Sequence, residues 1–186
     1  MVGTHKRDWL ETGKTLLEEW GAEALTIEML TKQLHVTKGS FYHHFLNSQD
    51  FKEQLLAAYE EERTHQVIRV AEKETSPQAK LERIIWITLQ PSQLEVAIRA
   101  WALQDTSVKE YQQRIDQQRL TYLEALIFAI VGEHSQAARM ARIFYSIYVG
   151  SQHVLPPIQG DDLAYLYQDA LPLLSFAFDS HIAKDE

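Results

Sequence analysis

The sequence contains no cysteine among its 186 residues. Disulfide bonds and thiolate metal sites are therefore excluded, and the composition fits a reducing cytoplasm. The sequence also has no apolar run approaching the ~20 residues that cross a membrane. Its first residues, MVGTHKRDW, lack the apolar core of a signal peptide. We therefore expect a cytoplasmic protein with no membrane partner.

Glycine and proline are scarce, at 7 and 5 residues, and no Gly/Ser-rich stretch provides a flexible linker. Apolar residues make up 45% of the chain, which suits a globular protein with a substantial core. They recur at helical spacing throughout, and no segment shows the alternation typical of a strand. The sequence therefore predicts an all-α fold.

Basic residues are fewer than acidic ones: the sequence has 18 Lys and Arg residues and 26 Asp and Glu residues, which gives a formal charge of -8. Yet residues 29–49 contain no Asp or Glu. The basic and ionisable side chains of this window are Lys32, His35, Lys38, His43 and His44. An acidic protein that clears carboxylates from one surface reduces its repulsion of a negatively charged partner there.

The carboxylate-free window overlaps Thr26–Phe45, TIEMLTKQLHVTKGSFYHHF, which predicts two short helices with a tight break between them. Thr26 is a favourable N-cap for the first helix and Thr37 for the second. Phe41 and Phe45 would face inward from the second helix, whose small, singly basic first turn can approach a phosphate backbone. This pattern is typical of a helix-turn-helix, whose second helix enters the DNA major groove. The alternative is an ordinary helical hairpin with a chance composition.

The run TKGSFYHHF, with Thr26, Leu30 and Val36 before it, resembles the DNA-binding domain of the tetracycline-repressor (TetR-like) family of bacterial regulators. The match covers about the first quarter of the chain closely and the helical layout of the rest loosely. It implies an N-terminal three-helix helix-turn-helix bundle and a larger C-terminal helical domain for ligand binding and dimerisation. The DNA-contacting residues that we predict on this basis are Thr26, Thr37, Lys38, Gly39, Ser40, Tyr42, His43 and His44.

Three residues depart from the family pattern. His35 stands where the turn usually carries Gly, which indicates a different turn geometry, and Thr31 stands where Ala is common. Gln49 replaces a Lys that usually contacts a phosphate, which indicates weaker clamping of the DNA backbone.

The helical pattern places the helix-turn-helix domain in residues 1–46 and the ligand-binding and dimerisation domain in residues 47–186. Lys6–Trp20 predicts the first helix, and the small basic arm that opens it is expected to be solvated. One long helix over residues 47–74 would connect the two domains. Its acidic run, residues 60–62, predicts a solvated face.

Later helix boundaries follow from local signals. Ser92 and Glu95 have the spacing of a capping box at the start of one helix. Pro172 lies inside the last apolar segment, where it is expected to kink or split a helix.

Two C-terminal segments, Ala137–Val154 and Leu163–Phe178, are apolar around most of their circumference. Helices of this kind are buried on every side, so in a short chain they need a partner. Paired with their copies across a two-fold axis, they would form the four-helix bundle of a homodimer, which the resemblance also implies. The predicted interface residues are Ala138, Ala141, Tyr145, Leu166, Ala170 and Leu174.

The resemblance also implies a cavity for a small-molecule inducer in the middle helices, which are rich in aromatic residues. The alternative for each aromatic residue is ordinary core packing. The predicted pocket residues are Trp86, Arg99, Trp101, Gln104, Tyr122, Phe144, Tyr145, Tyr148 and His153.

Eight histidines raise the question of a metal site. His43 and His44 are adjacent, so their side chains diverge by ~100° on a helix and form a poor chelating pair. The sequence shows no Gly-rich phosphate loop and no nucleophile elbow. We therefore expect no metal, no cofactor and no enzyme activity.

These observations predict a ligand-responsive DNA-binding transcriptional regulator. It would act as a repressor that binds a palindromic operator as a homodimer and is released by a small-molecule inducer. The alternative is a helical binding or adaptor protein whose helix-turn-helix no longer reads DNA. Gln49 and the acidic net charge motivate that alternative.

Overall fold

A computed structural model describes residues 4–172 of the chain. Every regular element in this part is helical, which confirms the predicted all-α fold with an N-terminal helix-turn-helix bundle. The helices are α1 (Lys6–Trp20), α2 (Ile27–Leu34), α3 (Lys38–His44), α4 (Ser48–Glu60), α5 (Gln66–Ala71), α6 (Pro77–Thr88), α7 (Gln93–Ala102), α8 (Thr106–Val131), α9 (His134–His153) and α10 (Gly160–Ala170).

Local capping signals place the first helices where the sequence predicts them. Gly21 ends α1 with a φ of 76°, and its N–H donates to the Leu17 carbonyl oxygen at 3.0 Å. A residue with a side chain would be strained in this left-handed conformation, which glycine adopts freely. The Thr26 hydroxyl caps α2 by accepting the Met29 N–H at 3.2 Å.

The predicted connecting helix over residues 47–74 is present but not uniform. The Asn47 side chain caps its start by accepting the Asp50 N–H at 2.9 Å. Between α4 and α5 the chain forms one turn of π-helix at Glu61–His65 (the π-turn), and α5 ends at Ala71. Such a turn widens the helix locally and is found frequently at functional sites.

The chain forms two compact units. Among the described residues, the first unit contains everything up to Thr64 together with Gln93–Arg114. The second contains His65–Ser92 and the residues from Ile115 onwards. The predicted domain boundary at residue 46 stays a prediction.

The core of the second unit is built from α6, α8, α9 and α10. The Phe144 and Tyr167 rings stack at 5.8 Å with an angle of 10° between their planes. The Gln152 side chain accepts the Ser92 N–H at 2.8 Å, which joins the segment before α7 to α9, and the predicted capping box stays a prediction. The last described helix ends at Ala170, and Pro172 lies in the turn that follows. The remainder of the predicted helix lies outside the described residues.

The predicted dimer-interface residues divide by exposure. Ala141 is only 1% exposed, and Tyr145 and Ala170 are also buried among side chains of their own unit. Their own chain already covers these three residues, and an interface that includes them stays a prediction. Leu166 is 40% exposed and Ala138 is half-buried, so both stay candidates. Leu174 lies outside the described residues.

The contact between α1 and α4 gives a stability prediction. A Cβ atom built at Gly13 would lie 2.6 Å from Phe51 Cζ and 2.7 Å from Leu55 Cδ1, and both side chains are fully buried. Overpacking of this kind costs about 1–3 kcal/mol, whereas Gly→Ala in a helix gains about 1 kcal/mol. We expect Gly13→Ala to lower the free energy of unfolding by about 1 kcal/mol, measured by urea titration.

Gly150 provides the matched control for this substitution, because it also lies within a helix and a Cβ built there meets nothing within 4 Å. Gly150→Ala should raise the free energy of unfolding by about 1 kcal/mol. Equal stabilisation by both substitutions would show that α1 and α4 do not pack closely at Gly13.

Candidate nucleic-acid interface

The turn between α2 and α3 has the geometry that favours glycine. His35 ends α2 with φ 55° and ψ 42°, and the Val36 N–H donates to the Thr31 carbonyl oxygen at 3.0 Å. Histidine is one of the few residue types enriched at positive φ, so His35 can adopt a conformation that glycine also adopts. The predicted change of turn geometry stays a prediction.

Thr31, the second departure from the family pattern, is compatible with its buried position. Its hydroxyl donates to the carbonyl oxygens of Ile27 at 2.8 Å and Glu28 at 3.0 Å. The polar group is satisfied inside α2, so it introduces no unpaired hydrogen-bonding atom into the bundle.

Aromatic packing fixes the orientation of α3. The Phe41 and Phe45 rings are buried at 5.1 Å from each other. Phe41 meets Trp9 of α1 edge to face at 5.5 Å, and Phe45 meets Phe51 of α4 edge to face at 5.0 Å. Because these rings bind one side of α3 to the bundle, the other side faces solvent.

The exposed side of α3 brings together most of the predicted DNA-contacting residues. Exposed side chains or backbone occur at Thr37, Lys38, Gly39, Tyr42 and His43, and Ser40 is half-buried. Thr37 makes no capping hydrogen bond through its hydroxyl. The Thr26 hydroxyl accepts a hydrogen bond as a cap but keeps its own hydrogen for donation to an anion. The surface thus offers a cation and several hydroxyl groups, and no carboxylate belongs to the sequence between Met29 and Gln49.

His44 makes a contact within its own chain. It is half-buried, and its Nε2 lies 2.9 Å from the Thr4 carbonyl oxygen. A carbonyl oxygen only accepts, so Nε2 carries the hydrogen and donates it. His44 therefore holds Thr4 against α3, and its contact with DNA stays a prediction.

The basic arm before α1 is likewise less free than the sequence indicates. Its Thr4 carbonyl oxygen binds His44, and the Lys6 Nζ lies 5.6 Å from the centre of the Phe45 ring. Sequence reasoning missed both contacts. A backbone acceptor has no residue-type signature, and a cation over an aromatic ring depends on the tertiary fold.

The segment after α3 is ordered by reciprocal hydrogen bonds. Asp50 accepts the Leu46 N–H at 2.8 Å while Asn47 accepts the Asp50 N–H. Hydrogen bonds from the Gln54 side chain and the Leu46 N–H lower the pKa of Asp50 below its ordinary value. Gln49 is exposed and donates to Glu53 at 3.0 Å, so this position supplies no cation to a phosphate.

The predicted ligand-pocket residues do not all belong to one unit. Arg99, Trp101 and Gln104 lie in the first unit, and the remaining six lie in the second. Trp86 is exposed, with the Arg83 guanidinium 4.7 Å from its ring centre. The pocket itself stays a prediction.

Within the second unit, sequence reasoning missed a polar cluster on α8 and α9. The Tyr145 hydroxyl donates to Asp116 Oδ1 at 2.7 Å and accepts from Arg119 Nη1 at 3.4 Å. Arg119 is buried, and its guanidinium lies 5.9 Å from the centre of the Tyr148 ring. The predicted pocket aromatics Tyr145 and Tyr148 therefore surround a buried cation.

Two further kinds of site can be assessed in this part of the chain. Across residues 4–172, no three His, Asp or Glu side chains come together as a metal site requires. None of the helices in that span combines the length and apolar character that a membrane crossing needs.

Comparison with known proteins gives one family match. Residues 10–59 match the sequence model of the bacterial regulatory proteins of the tetR family. This range covers most of α1, all of α2 and α3, and all of α4 except its last residue, Glu60. No protein with a curated functional description matches the chain.

Solved structures share the fold over nearly the whole chain. A transcriptional regulator from Saccharomonospora viridis, solved in complex with choline, is 13% identical with a TM-score of 0.71, and the match covers 91% of this chain and 95% of that one. A TetR/AcrR-family regulator is 21% identical with a TM-score of 0.69, covering 95% and 96%. The ketosteroid transcriptional regulator KstR2 of Mycobacterium tuberculosis is 14% identical with a TM-score of 0.67, covering 94% of each chain.

Identities this low establish the fold, and the family model adds a sequence match over residues 10–59. Together they confirm the resemblance that the sequence indicates. The three proteins are all described as transcriptional regulators.

Proposed function

We propose that this chain, whose residues 10–59 match the tetR family model, is a ligand-responsive transcriptional repressor. It has the fold of a TetR-family transcriptional regulator. In our proposal it binds a palindromic operator as a homodimer, and a small-molecule inducer releases it. The observation that carries the proposal is the outward side of α3, which is free of carboxylates and held by the aromatic packing of Trp9, Phe41 and Phe45.

The proposed DNA contacts divide into two groups. Lys38 and the hydroxyl groups of Thr26, Thr37 and Tyr42 would bind phosphates, which sets the position of α3 on the duplex. The remaining contacts, Gly39, Ser40 and His43, would lie against base edges in the major groove, where sequence is read. An acidic protein can bind DNA in this way because its repulsive charges lie elsewhere.

A homodimer is supported by exposed apolar side chains on the second unit. Large hydrophobic residues that face solvent on α9, on α10 and in the turn between them are Ile143, Val154, Leu155, Tyr165 and Leu166. Apolar groups gathered on one unit favour a protein partner. A dimer of this chain would also present two copies of α3, one for each half-site of a palindromic operator.

A small-molecule ligand is supported by the polar cluster of Asp116, Arg119 and Tyr145 and by the fold. A few polar groups among aromatic side chains are typical of ligand sites in helical proteins. The Saccharomonospora viridis regulator with this fold was solved in complex with choline. For this chain we propose a ligand site in the second unit, without assigning the ligand.

The adaptor alternative has one observation in its favour. Gln49 donates to Glu53, which places a carboxylate next to the position where the family usually has a cationic phosphate contact. A protein that no longer bound DNA would tolerate that change.

Selection of bound DNA from a random pool decides between the two functions. We expect the enriched sequences to contain a palindrome whose half-sites lie about one helical turn apart, ~34 Å. Absence of enrichment at low salt, with a folded protein, would contradict the repressor and favour the adaptor.

Lys38 provides a quantitative test of the proposed surface. We expect Lys38→Ala to weaken operator and non-specific DNA binding together and to reduce the slope of log K against log [salt] by about one. Lys109→Ala removes an equally exposed charge from α8 and is the matched control, with an unchanged slope expected. A Lys38 variant with the wild-type slope would place this side chain off the DNA.

The proposed dimer surface is tested at Leu166. We expect Leu166→Glu to yield a folded monomer, because it would bury an unpaired charge against a second chain. Gln168→Glu adds the same charge at another exposed position of α10 and should stay dimeric. Sedimentation velocity distinguishes the two states, and a dimeric Leu166→Glu protein would remove α10 from the interface. Ala141→Glu is expected to unfold the second unit instead, since Ala141 is buried there.

A further inference from the structure

A buried carboxylate lies at the end of α4. Glu60 is only 6% exposed, and its two oxygens accept from Arg114 Nη1 at 3.0 Å and Nη2 at 2.9 Å. The Tyr111 hydroxyl also donates to it, at 2.7 Å. The predicted solvated face at residues 60–62 is therefore wrong at Glu60. Two parallel hydrogen bonds between a guanidinium and a carboxylate fix the orientation of both side chains.

The position of this cluster along the chain is informative. The chain leaves the first unit after Thr64, returns at Gln93 and leaves again after Arg114. Glu60 lies four residues before the first exit, and Arg114 is the last residue before the second exit. Inside the first unit, the cluster therefore ties together the two helices that lead out of it.

The π-turn that follows Glu60 is held from other directions as well. Lys14 of α1 donates to both oxygens of Glu62 at 2.8 Å. The Tyr59 hydroxyl donates to the fully buried Glu95 of α7, which also binds Arg99 Nε at 2.9 Å. Three helices of the first unit thus contact the end of α4 through charged or polar groups, which specifies one arrangement there.

We propose that Glu60, Arg114 and Tyr111 form a positioning clamp that sets the operator spacing this protein recognises. The proposal rests on the proposed function as a dimeric DNA-binding repressor. The clamp holds the end of α4 in one orientation, and α4 packs against α1 of the DNA-reading bundle. In a dimer, that orientation decides whether the two copies of α3 match successive major grooves.

The two partners of the ion pair differ in exposure. The Arg114 side chain is 57% exposed, whereas the Glu60 side chain is 8% exposed. Loss of the two hydrogen bonds from Arg114 is therefore more unfavourable for Glu60, which is buried, than for Arg114, which water can reach. The pair thus favours the placement of the end of α4 in which both hydrogen bonds form.

The Tyr111 hydroxyl keeps its proton and donates it to Glu60. Burial and the neighbouring Glu60 carboxylate raise the pKa of Tyr111 to about 12.

The test uses the full-length protein, its selected palindrome, two derivatives with one base pair added or removed between the half-sites, and an isolated half-site. Arg114→Gln removes the charge but keeps a side chain that can donate to Glu60, and circular dichroism checks that the fold persists. We expect it to reduce the preference for the selected spacing by up to about tenfold, because a charge-assisted hydrogen bond contributes about that factor and solvent screens the exposed Arg114. Affinity for the half-site should stay within about twofold, since α3 itself is untouched.

Matched variants separate positioning from a general loss of structure. Arg114→Lys keeps the charge without the two-point geometry and should restore part of the spacing preference. Lys109→Gln removes a charge from the same helix five residues before Arg114 and should behave as the wild type. Tyr111→Phe removes a single hydrogen bond and should weaken the spacing preference in the same direction, by less than Arg114→Gln.

Different failures identify different errors. An Arg114→Gln protein that keeps the wild-type spacing preference would overturn the clamp while leaving the repressor in place. Equal loss of half-site and full-site affinity in both the Arg114 and Tyr111 variants would overturn it as well, because that pattern indicates damage to the whole first unit. A wild-type protein that binds neither DNA would overturn the repressor, and the clamp with it.

Discussion

The packing of Trp9 against Phe41 is the interaction on which the outward surface of α3 depends. The helix α3 has only seven residues, too few to be stable by itself in water. It is helical, and faces outward on one side only, because Phe41 and Phe45 are buried against α1 and α4. Trp9 Nε1 has no hydrogen-bond partner among the described residues, which indicates that ring size and shape are favoured here over a satisfied N–H group.

Charged groups have a different role in the same unit. Lys14, Glu60 and Glu95 are all buried, and each is paired. Buried ion pairs add little net stability compared with apolar packing, because desolvation opposes the attraction between the charges. What they do supply is a specific geometry, since breaking one pair leaves an uncompensated charge. The first unit therefore combines an aromatic core that stabilises α3 with polar contacts that orient the helix leading away from it.

Much of this fold could be predicted from local sequence signals. The bounds of α1, the Thr26 cap and the helix-turn-helix depend on residues close together in the chain, and each is where the sequence predicts it. Glu60 was predicted to be solvated and Glu95 to cap a helix, yet both are buried. Their partners lie 54 and 36 residues away, at Arg114 and Tyr59. A carboxylate in an acidic run has the same local pattern whether it faces water or a distant arginine, so only the tertiary structure distinguishes the two.

The same ambiguity limits the interface prediction, here for apolar residues. An all-round hydrophobic helix indicates burial, but the pattern does not state whether its own chain or a second chain provides the cover. On α9, Ala141 is covered by its own unit, whereas Ile143 two residues later is exposed. Two residues span about 200° around a helix, so these side chains lie on nearly opposite faces. One face of α9 therefore completes the core of a single chain, whereas the other faces solvent. The exposed apolar residues Ile143, Leu155 and Leu166 are thus the ones on which the proposed dimer would depend.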